Sequence, residues 1–343
     1  MRAMAFPAYE APLEEIELPE PDLVAGSALL EVLTCGICFS DVKTWSGQMP
    51  FSPHLPLPHV PGHEVAARVV ATDPAGALAP GTIVVVYHLR PCRTCDRCRA
   101  GEENLCLAPA GWMGFTHPGG LRERMVVPLD RLTAVPEEID PVHAAPLTCA
   151  LGTAYRATMT RGRVTAGSRV GVIGLGGVGI HALQIAHAAG AEAVGFDVSE
   201  RAIAAARALG LDARRADDET ATAAAAGLDV VIDAVGQEAT MAQAGRLVRA
   251  GGRIVAVGYS AASDFVMASR RFVLEEVELV GSRYVRLDEL QRAIRLVADG
   301  RVRIVVDAVK PFEQAGDALA MLRDGGVVGR LVVDVGGVTR SAA

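Results

Sequence analysis

The chain has 343 residues, which is enough for two domains that each hold a core of their own. Its formal net charge of −7 at pH 7 gives no basic footprint for nucleic acid or for an anionic membrane. No apolar run reaches the roughly 18 residues that span a bilayer, and the first residues do not follow a signal-peptide pattern. We therefore expect a cytoplasmic protein with reduced thiols that binds neither nucleic acid nor membrane.

The first part of the chain, up to about residue 150, is rich in short β-forming runs. Leu29–Leu33, Val65–Ala71 and Ile83–Val86 are apolar, and proline and glycine separate them. This pattern of short apolar runs separated by proline and glycine predicts an irregular, mainly antiparallel β domain.

Three side chains that bind zinc well are spread over this first part. Cys38 begins Cys-Phe-Ser-Asp, His63 lies in Pro-Gly-His-Glu, and Cys149 stands alone. Two thiolates and one imidazole leave one tetrahedral position unfilled, which is typical of a catalytic rather than a structural zinc site. Each residue by itself has a plainer interpretation, as core packing for a cysteine or as an ordinary polar contact for a histidine.

A compact group of four cysteines lies between His63 and Cys149, at Cys92, Cys95, Cys98 and Cys106. Four thiolates complete a tetrahedron and leave no position for substrate, so the group predicts a structural zinc site. An iron–sulfur cluster is the chemical alternative. Disulfides are disfavoured, because the cysteines number seven and no secretory segment is evident. Cys35 has no expected metal role and is interpreted as packing.

After residue 150, strands alternate with alanine-rich helical stretches, which predicts βαβ units in a parallel sheet. The strand candidates are Arg169–Ile173, Ala193–Phe196, Asp229–Ile232, Arg253–Val257 and Glu278–Val280.

A glycine-rich turn follows the first of these strands. It consists of Gly174, Leu175, Gly176, Gly177, Val178 and Gly179, and a helical run over 180–189 follows it. In that context the glycines let the backbone approach a pyrophosphate at the helix N-terminus. Asp197 ends the second strand, where a carboxylate accepts hydrogen bonds from the ribose hydroxyls and favours NAD over NADP. The nearby Arg201 keeps NADP open as the alternative.

From about Leu287 the pattern changes again. A helix over Asp288–Ala298, a strand around Val302–Val306, a helix over Phe312–Leu322 and a strand over Leu331–Val335 are predicted to return to the first domain. An open zinc site beside a dinucleotide site narrows the chemistry to hydride transfer between an alcohol and its carbonyl compound.

These motifs, in this order, resemble the zinc-dependent medium-chain alcohol and polyol dehydrogenases over nearly the whole chain. The resemblance implies an α/β protein with a GroES-like, mainly β catalytic domain over 1–150 and 287–343. It also implies a structural zinc lobe at about 90–108 and a Rossmann domain, a doubly wound parallel sheet, over 151–286. Members of the family are typically dimers or tetramers, so we expect a homo-oligomer with two Zn²⁺ per chain and NAD as cofactor.

The resemblance also implies roles for single residues. It makes Cys38, His63 and Cys149 the ligands of the catalytic zinc. Four further residues lie around the zinc and the substrate or cofactor: Asp41 orients His63, Glu64 approaches the metal during ligand exchange, Ser40 hydrogen-bonds the substrate and begins a proton relay, and Thr153 lies near the nicotinamide. Arg330 matches a basic residue that reaches the pyrophosphate.

Two residues depart from the family pattern. Phe39 stands where many relatives carry Arg or His near the pyrophosphate, and Lys43 stands where many carry the histidine that ends the proton relay. Only one other lysine, Lys310, occurs beside 31 arginines. We hypothesise that Lys43 either relays protons with a lowered pKa or binds an anionic group, the alternative being a solvated lysine.

The substrate itself is weakly specified. Trp45, Phe51, Trp112 and Phe115 are candidate pocket walls, although core packing explains each equally well. The sequence therefore favours a dehydrogenase of a primary or secondary alcohol, a polyol or a sugar. A zinc-free quinone or enoyl reductase of the same superfamily and a non-catalytic redox sensor that binds zinc and dinucleotide are the alternatives.

Overall fold

The computed structural model describes residues 1–50, 52–260 and 263–338. Two compact units divide the chain. The first unit contains Met1–Cys149, Arg286–Ile294 and the chain from Val306 onward, and the second contains Ala150–Val285 and Arg295–Val305. The sequence had assigned all of 287–343 to the first domain; its last five residues lie outside the described chain.

The N-terminal part of the first unit is mainly β. Its elements are β1 Arg2–Ala5, β2 Glu14–Glu17, β3 Ser27–Ile37, α1 Phe39–Trp45, β4 Glu64–Asp73, β5 Ile83–Val86, β6 Leu89–Arg90, α2 Asp96–Arg99, β7 Gly111–Trp112, β8 Arg124–Pro128, β9 Leu132–Ala134 and α3 Pro141–Ala144. Three of the predicted β runs lie within β3, β4 and β5. Short 3₁₀ turns occur at Ser52–His54, Glu103–Leu105, Leu129–Arg131 and Ala145–Leu147.

The second unit alternates helices and strands. Its elements are α4 Ala150–Tyr155, which continues as a π-helical turn over Arg156–Arg161, then β10 Arg169–Ile173, α5 Gly179–Ala188, β11 Glu192–Asp197, α6 Glu200–Ala208, β12 Asp212–Arg215, α7 Glu219–Ala224, β13 Leu228–Asp233, α8 Glu238–Leu247, β14 Val248–Ala256, α9 Ser269–Leu274 and β15 Glu278–Gly281. The six strands form a parallel sheet in the order β12-β11-β10-β13-β14-β15. The order reverses between β10 and β13, as in a doubly wound sheet.

The chain continues with α10 Leu287–Ala298, β16 Val306–Pro311, a 3₁₀ turn over Phe312–Gln314, α11 Ala315–Asp324 and β17 Arg330–Asp334. The strands β16 and β17 join the sheet of the first unit, which runs β16-β17-β3-β4-β5-β9 with β8 also paired to β3. Of these pairs only β16 and β17 are parallel.

Two predicted details of the strands were wrong. The strand β12 was missed because its sequence, Asp-Ala-Arg-Arg, buries only Ala213 and shows no apolar alternation at this sheet edge. The strand predicted around Val302–Val306 begins only at Val306. The backbone of Arg303 is instead hydrogen-bonded to the side chain of Gln184 in α5. These bonds hold the segment before β16 against α5, and Arg295–Val305 accordingly belongs to the second unit.

Each unit has its own apolar core. In the first unit, alternate residues of the sheet and of α11 are buried, among them Leu30, Val32, Val65, Met125, Leu319 and Val333. In the second, the core includes Phe196, Val231, Leu247 and Ile254. None of the helices within the described residues has the length and apolar character needed to cross a membrane.

Candidate metal centre and cofactor site

The three predicted catalytic ligands lie together in the first unit, with Glu64 beside them. One ligand atom from each of Cys38, His63, Glu64 and Cys149 lies within 4.8 Å of all the others. Cys38 lies directly after β3, and Cys149 lies directly before α4. His63 lies directly before β4, and Glu64 is the first residue of that strand. Residues far apart in sequence thus converge on one cluster, in which Cys149 is partly exposed and the other three residues are buried.

Asp41 organises the cluster, and its side chain is fully buried. One carboxylate oxygen accepts the Cys38 backbone N–H at 2.8 Å, which closes the first turn of α1 as a capping interaction. The other oxygen accepts the Gly62 N–H at 3.2 Å and lies 3.0 Å from Nδ1 of His63. Because Nδ1–H donates to a carboxylate, Nε2 of His63 carries the lone pair that a metal needs.

Gly62 has a positive φ of +98°. A Cβ at this position would lie 2.5 Å from the Cys35 sulfur. The glycine of Pro-Gly-His-Glu is therefore required for the turn that brings His63 to Asp41. Cys35 itself is fully buried in the core of the first unit, outside both metal clusters.

Arg330 lies in this same cluster. Its Nε is 2.9 and 3.1 Å from the two carboxylate oxygens of Glu64, and its Nη2 is 3.5 Å from the Cys38 sulfur. Both Arg330 and Glu64 are buried. The resemblance assigned Arg330 to the pyrophosphate only; the ion pair with Glu64 and the contact with Cys38 were not foreseen.

The electrostatics of the cluster favour a thiolate at Cys38. A hydrogen bond from Cys149 lowers the pKa of Cys38 well below its usual value, and the positive charge of Arg330 acts in the same direction. Burial raises the pKa of Glu64 to about 7, although Arg330 opposes that rise. A soft anionic ligand is thereby present where a metal would bind.

The second predicted cluster, Cys92, Cys95, Cys98 and Cys106, also lies together in the first unit, within the same 4.8 Å limit. The Cys92 sulfur accepts the Cys95 N–H at 3.3 Å, and the Cys106 sulfur accepts the Cys92 N–H at 3.2 Å. Backbone N–H groups of Thr94 and Cys95 lower the pKa of Cys92 to about 5. Backbone donors thus favour the thiolate of Cys92 and Cys95, whereas burial raises the pKa of Cys98 to about 12. Four converging sulfurs can complete a tetrahedron by themselves, which leaves no ligand position for a substrate.

The candidate pocket walls have different surroundings. The ring of Phe115 lies 4.5 Å from the ring of His63, at the cluster. Trp45 instead donates its indole N–H to the carbonyl of Ala11 and lines a groove of about 360 Å³ with α11. Trp112 forms β7 and pairs with Leu89, and Phe51 lies outside the described residues.

Sequence reasoning missed His88. Its ring centroid lies 5.1 Å from that of His63 in an edge-to-face arrangement, and 5.6 Å from that of Phe115. The only available signal was its place four residues before Cys92, among only eight histidines. The imidazole of His63 is thus packed by a second imidazole and by an aromatic ring.

The glycines of the turn after β10 have distinct surroundings. Gly174 has a φ of +84°, and a Cβ there would lie 2.4 Å from a methyl of Val235. A Cβ at Gly179 would lie 1.6 Å from the carbonyl oxygen of Gly174, whereas one at Gly176 would meet nothing within 4 Å. The first and last glycines therefore permit the turn to close, and Gly176 leaves the backbone open to a ligand. Gly177 and Val178 continue the turn into α5.

Asp197 ends β11 next to this turn. Its two carboxylate oxygens accept the Leu175 N–H at 2.6 Å and the Ser199 N–H at 2.8 Å. The acid therefore shapes the glycine turn and the start of α6, a role that was not predicted. Arg201 is exposed in the first turn of α6.

Two family models match this chain. The alcohol dehydrogenase GroES-like domain covers residues 24–137, and the zinc-binding dehydrogenase domain covers residues 177–299. An alcohol dehydrogenase of Geobacillus stearothermophilus is 30% identical over 340 residues, which span 97% of this chain and 98% of that protein. The chain belongs to the zinc-type medium-chain dehydrogenase/reductase family.

Solved structures of alcohol dehydrogenases are similar to this chain over nearly its whole length. A structure described as an NAD-dependent alcohol dehydrogenase is 28% identical, with a TM-score of 0.92 over 98% of this chain and all of that one. A thermostable alcohol dehydrogenase from Pyrobaculum aerophilum is also 28% identical, with a TM-score of 0.88 over 97% of this chain and 99% of that one. These similarities confirm the predicted fold class, a GroES-like domain with a Rossmann domain.

The chain is therefore an oxidoreductase of the alcohol dehydrogenase type that acts on small molecules. The donor sets fit the metal of the family. Two sulfurs, one nitrogen and a carboxylate that is already engaged by Arg330 suit an open zinc site. The four sulfurs of the lobe suit a closed one.

The remaining predicted residues are placed as follows. Ser40 and Lys43 lie on α1, directly after Cys38 in the chain, and both are partly exposed. The exposed ring of Phe39 lies 6.0 Å from Nζ of Lys43. Thr153 is buried in α4 of the second unit.

Proposed function

We propose that this protein is a zinc-dependent, NAD-linked dehydrogenase that interconverts a primary or secondary alcohol, including polyols and sugars, with the aldehyde or ketone. The observation that carries the proposal is the convergence of Cys38, His63 and Cys149, with Asp41 holding the His63 imidazole. The function is tested by initial rates on a panel of alcohols, polyols and aldehydes with NAD(H) and NADP(H). Inactivity across the panel would contradict it.

Two zinc ions per chain are proposed. Cys38, His63 and Cys149 would hold the catalytic ion, and the four cysteines of the lobe would hold the structural one. When bound, the catalytic ion supplies Lewis-acid polarisation of the substrate oxygen. Around it, Asp41 keeps the proton of His63 on Nδ1, and Arg330 holds Glu64 beside the ligands.

NAD is the proposed cofactor, and its nicotinamide supplies the hydride acceptor when bound. The turn at Gly176 and the N-terminus of α5 would receive the pyrophosphate. Asp197 would accept hydrogen bonds from the ribose hydroxyls, since a carboxylate offers more lone pairs than its two backbone donors use. Arg201 is the residue that would accommodate NADP, and Thr153 and Arg330 are proposed to contact the nicotinamide and the pyrophosphate.

Ser40 and Lys43 are proposed to carry the proton away from the substrate. Lys43 is half-buried, and burial lowers its pKa below the ordinary 10.5, against the opposing negative charge of Cys38. A lysine with a lowered pKa becomes neutral, and so able to accept a proton, at a lower pH than an exposed one.

We therefore expect alcohol oxidation to rise as the pH rises through the pKa of Lys43. Lys43→Ala should lose this rise and lower kcat/KM by about 100-fold, as for loss of a general base. The measurement is the pH profile of kcat/KM, with Lys310→Ala, the other lysine in the chain, as the control that keeps the wild-type profile. An unchanged profile with a raised KM would assign Lys43 to anion binding; no change in either would refute both roles.

A homodimer or homotetramer is proposed, formed through one edge of the second unit. The strand β15 is the last of its sheet, and within the described residues its outer edge pairs with no strand. Directly before it Phe272, Val273 and Leu274 are exposed, the last to 79%. A free sheet edge beside exposed apolar side chains favours pairing with a second copy.

Leu274→Glu is expected to shift the protein from oligomer to monomer at micromolar concentration, because it places a charge in the proposed interface. Sedimentation velocity measures the change. Leu107→Glu is the matched control, since Leu107 is a comparably exposed leucine on the first unit, at 70%. A wild-type monomer, or an oligomer indifferent to Leu274→Glu, would contradict this interface.

A further inference from the structure

The imidazole of His181 joins two parts of the second unit. His181 lies in the first turn of α5 and is fully buried. Its Nδ1 lies 2.6 Å from the carbonyl oxygen of Gly177, inside the glycine turn. Its Nε2 lies 3.1 Å from the backbone nitrogen of Val305.

These partners fix the protonation state of the ring. The amide of Val305 can only donate, so Nε2 of His181 must accept and carries no proton. The carbonyl of Gly177 can only accept, so Nδ1 must donate. The ring is therefore neutral, and each of its two nitrogens is hydrogen-bonded to a backbone group.

The bond to Gly177 sets the orientation of one peptide group. In a trans peptide the carbonyl and the following N–H point in opposite directions. Holding the Gly177 carbonyl toward His181 therefore directs the Val178 N–H away from it. Val178 is the N-cap of α5, and its N–H donates to no group in the described residues. Such unpaired amides at a helix N-terminus are the donors that bind phosphate oxygens.

A second side chain of α5 provides an internal comparison. Gln184 donates to the Arg303 carbonyl at 3.0 Å and accepts the Arg303 N–H at 2.8 Å. It therefore holds the same 303–305 segment as His181. Within the described residues, the Gln184 side chain makes no hydrogen bond to the glycine turn. The contact with Gly177 is thus what distinguishes His181 from its neighbour on the helix.

We propose that His181 is a positioning residue of the cofactor site, because it fixes the Gly177–Val178 peptide so that the Val178 N–H faces the pyrophosphate. This inference rests on the proposed nicotinamide function. It predicts that the bond to Gly177, and not the bond to Val305, supports cofactor affinity.

Two substitutions separate the two bonds. Asparagine at position 181 retains a donor near the place of Nδ1, whereas glutamine carries its amide near the place of Nε2. We expect His181→Gln and His181→Leu to raise the dissociation constant of NADH and the KM for NAD about tenfold, as for loss of one hydrogen bond to a binding group. His181→Asn should stay within about threefold of the wild type, and kcat at saturating NAD should change little in all three.

The dissociation constants are measured by NADH fluorescence titration, with circular dichroism as the check on folding. Gln184→Leu is the control that weakens the 303–305 segment alone and should leave NADH affinity unchanged. Equal losses in His181→Asn and His181→Gln, an unchanged His181→Leu, or an equal loss in Gln184→Leu would each overturn the proposal. If His181→Leu does not fold, comparing the NADH affinities of His181→Asn and His181→Gln still tests the proposal. A wild-type protein that binds neither NADH nor NADPH would instead refute the proposed function.

Discussion

Cys38→Ala is expected to remove one of two zinc ions and to lower kcat about a thousandfold or more. Cys38 is the proposed ligand whose thiolate form is favoured, because a hydrogen bond from Cys149 and the positive charge of Arg330 lower its pKa. Without it, only His63 and Cys149 remain, with Glu64 held by Arg330. Lewis-acid stabilisation of several kcal/mol is then lost, and about 4 kcal/mol corresponds to a thousandfold. Zinc per chain is measured by plasma mass spectrometry, and kcat on the best substrate of the panel.

Cys35→Ala is the matched control for this prediction. Cys35 lies three residues earlier, is also buried, and takes part in neither metal cluster. We expect it to keep both zinc ions and a kcat within about threefold of the wild type, with only a packing cost of about 1 kcal/mol. A Cys38→Ala protein that retains two zinc ions and full activity would contradict the assignment of the ligand.

Gly176→Ala is expected to raise the dissociation constant of NADH roughly thirtyfold, or about 2 kcal/mol, without destabilising the fold. A Cβ at Gly176 meets no protein atom within 4 Å, and the residue does not have a positive φ. The methyl group therefore costs the protein nothing but occupies the space where the pyrophosphate would approach the turn. Fluorescence titration with NADH measures the affinity, and thermal unfolding measures the stability.

Two other glycines serve as comparisons for Gly176→Ala. Gly245 lies within α8, where a Cβ would contact only Met267 at 3.9 Å. We therefore expect Gly245→Ala to leave NADH affinity unchanged and to keep or raise the stability of the fold. Gly179→Ala would place a Cβ 1.6 Å from the Gly174 carbonyl oxygen and should lose both stability and affinity. Wild-type NADH affinity in Gly176→Ala would show that the cofactor does not approach this turn.

The sequence was most informative where the residues of a motif are close together in the chain and their spacing alone predicts a local structure. The glycine turn could be located because an apolar strand precedes it and a helix follows it, and β10 has the predicted bounds. The structure brings together both groups of predicted metal ligands, because soft ligands at recognisable spacings have few other reasons to occur together.

The features that were missed depend on contacts between distant segments. The pairing of Arg330 with Glu64 joins residues 266 positions apart, and no local pattern marks it. The same holds for His88 against His63 and for His181 against Val305. Asp197 was correctly singled out as an acid at a strand end, yet its bonds to Leu175 and Ser199 follow from the fold of the turn and not from spacing.

The central claim is that an open zinc site and a nicotinamide cofactor act together, with a second zinc in the cysteine lobe. It is tested most directly by measuring zinc per chain and NAD-linked alcohol oxidation on the same preparation of the wild-type protein. We predict two zinc ions per chain and activity that is higher with NAD than with NADP. Full activity in zinc-free protein would contradict the account and favour a zinc-free reductase, whereas two zinc ions without activity on any alcohol or carbonyl substrate would favour a redox sensor.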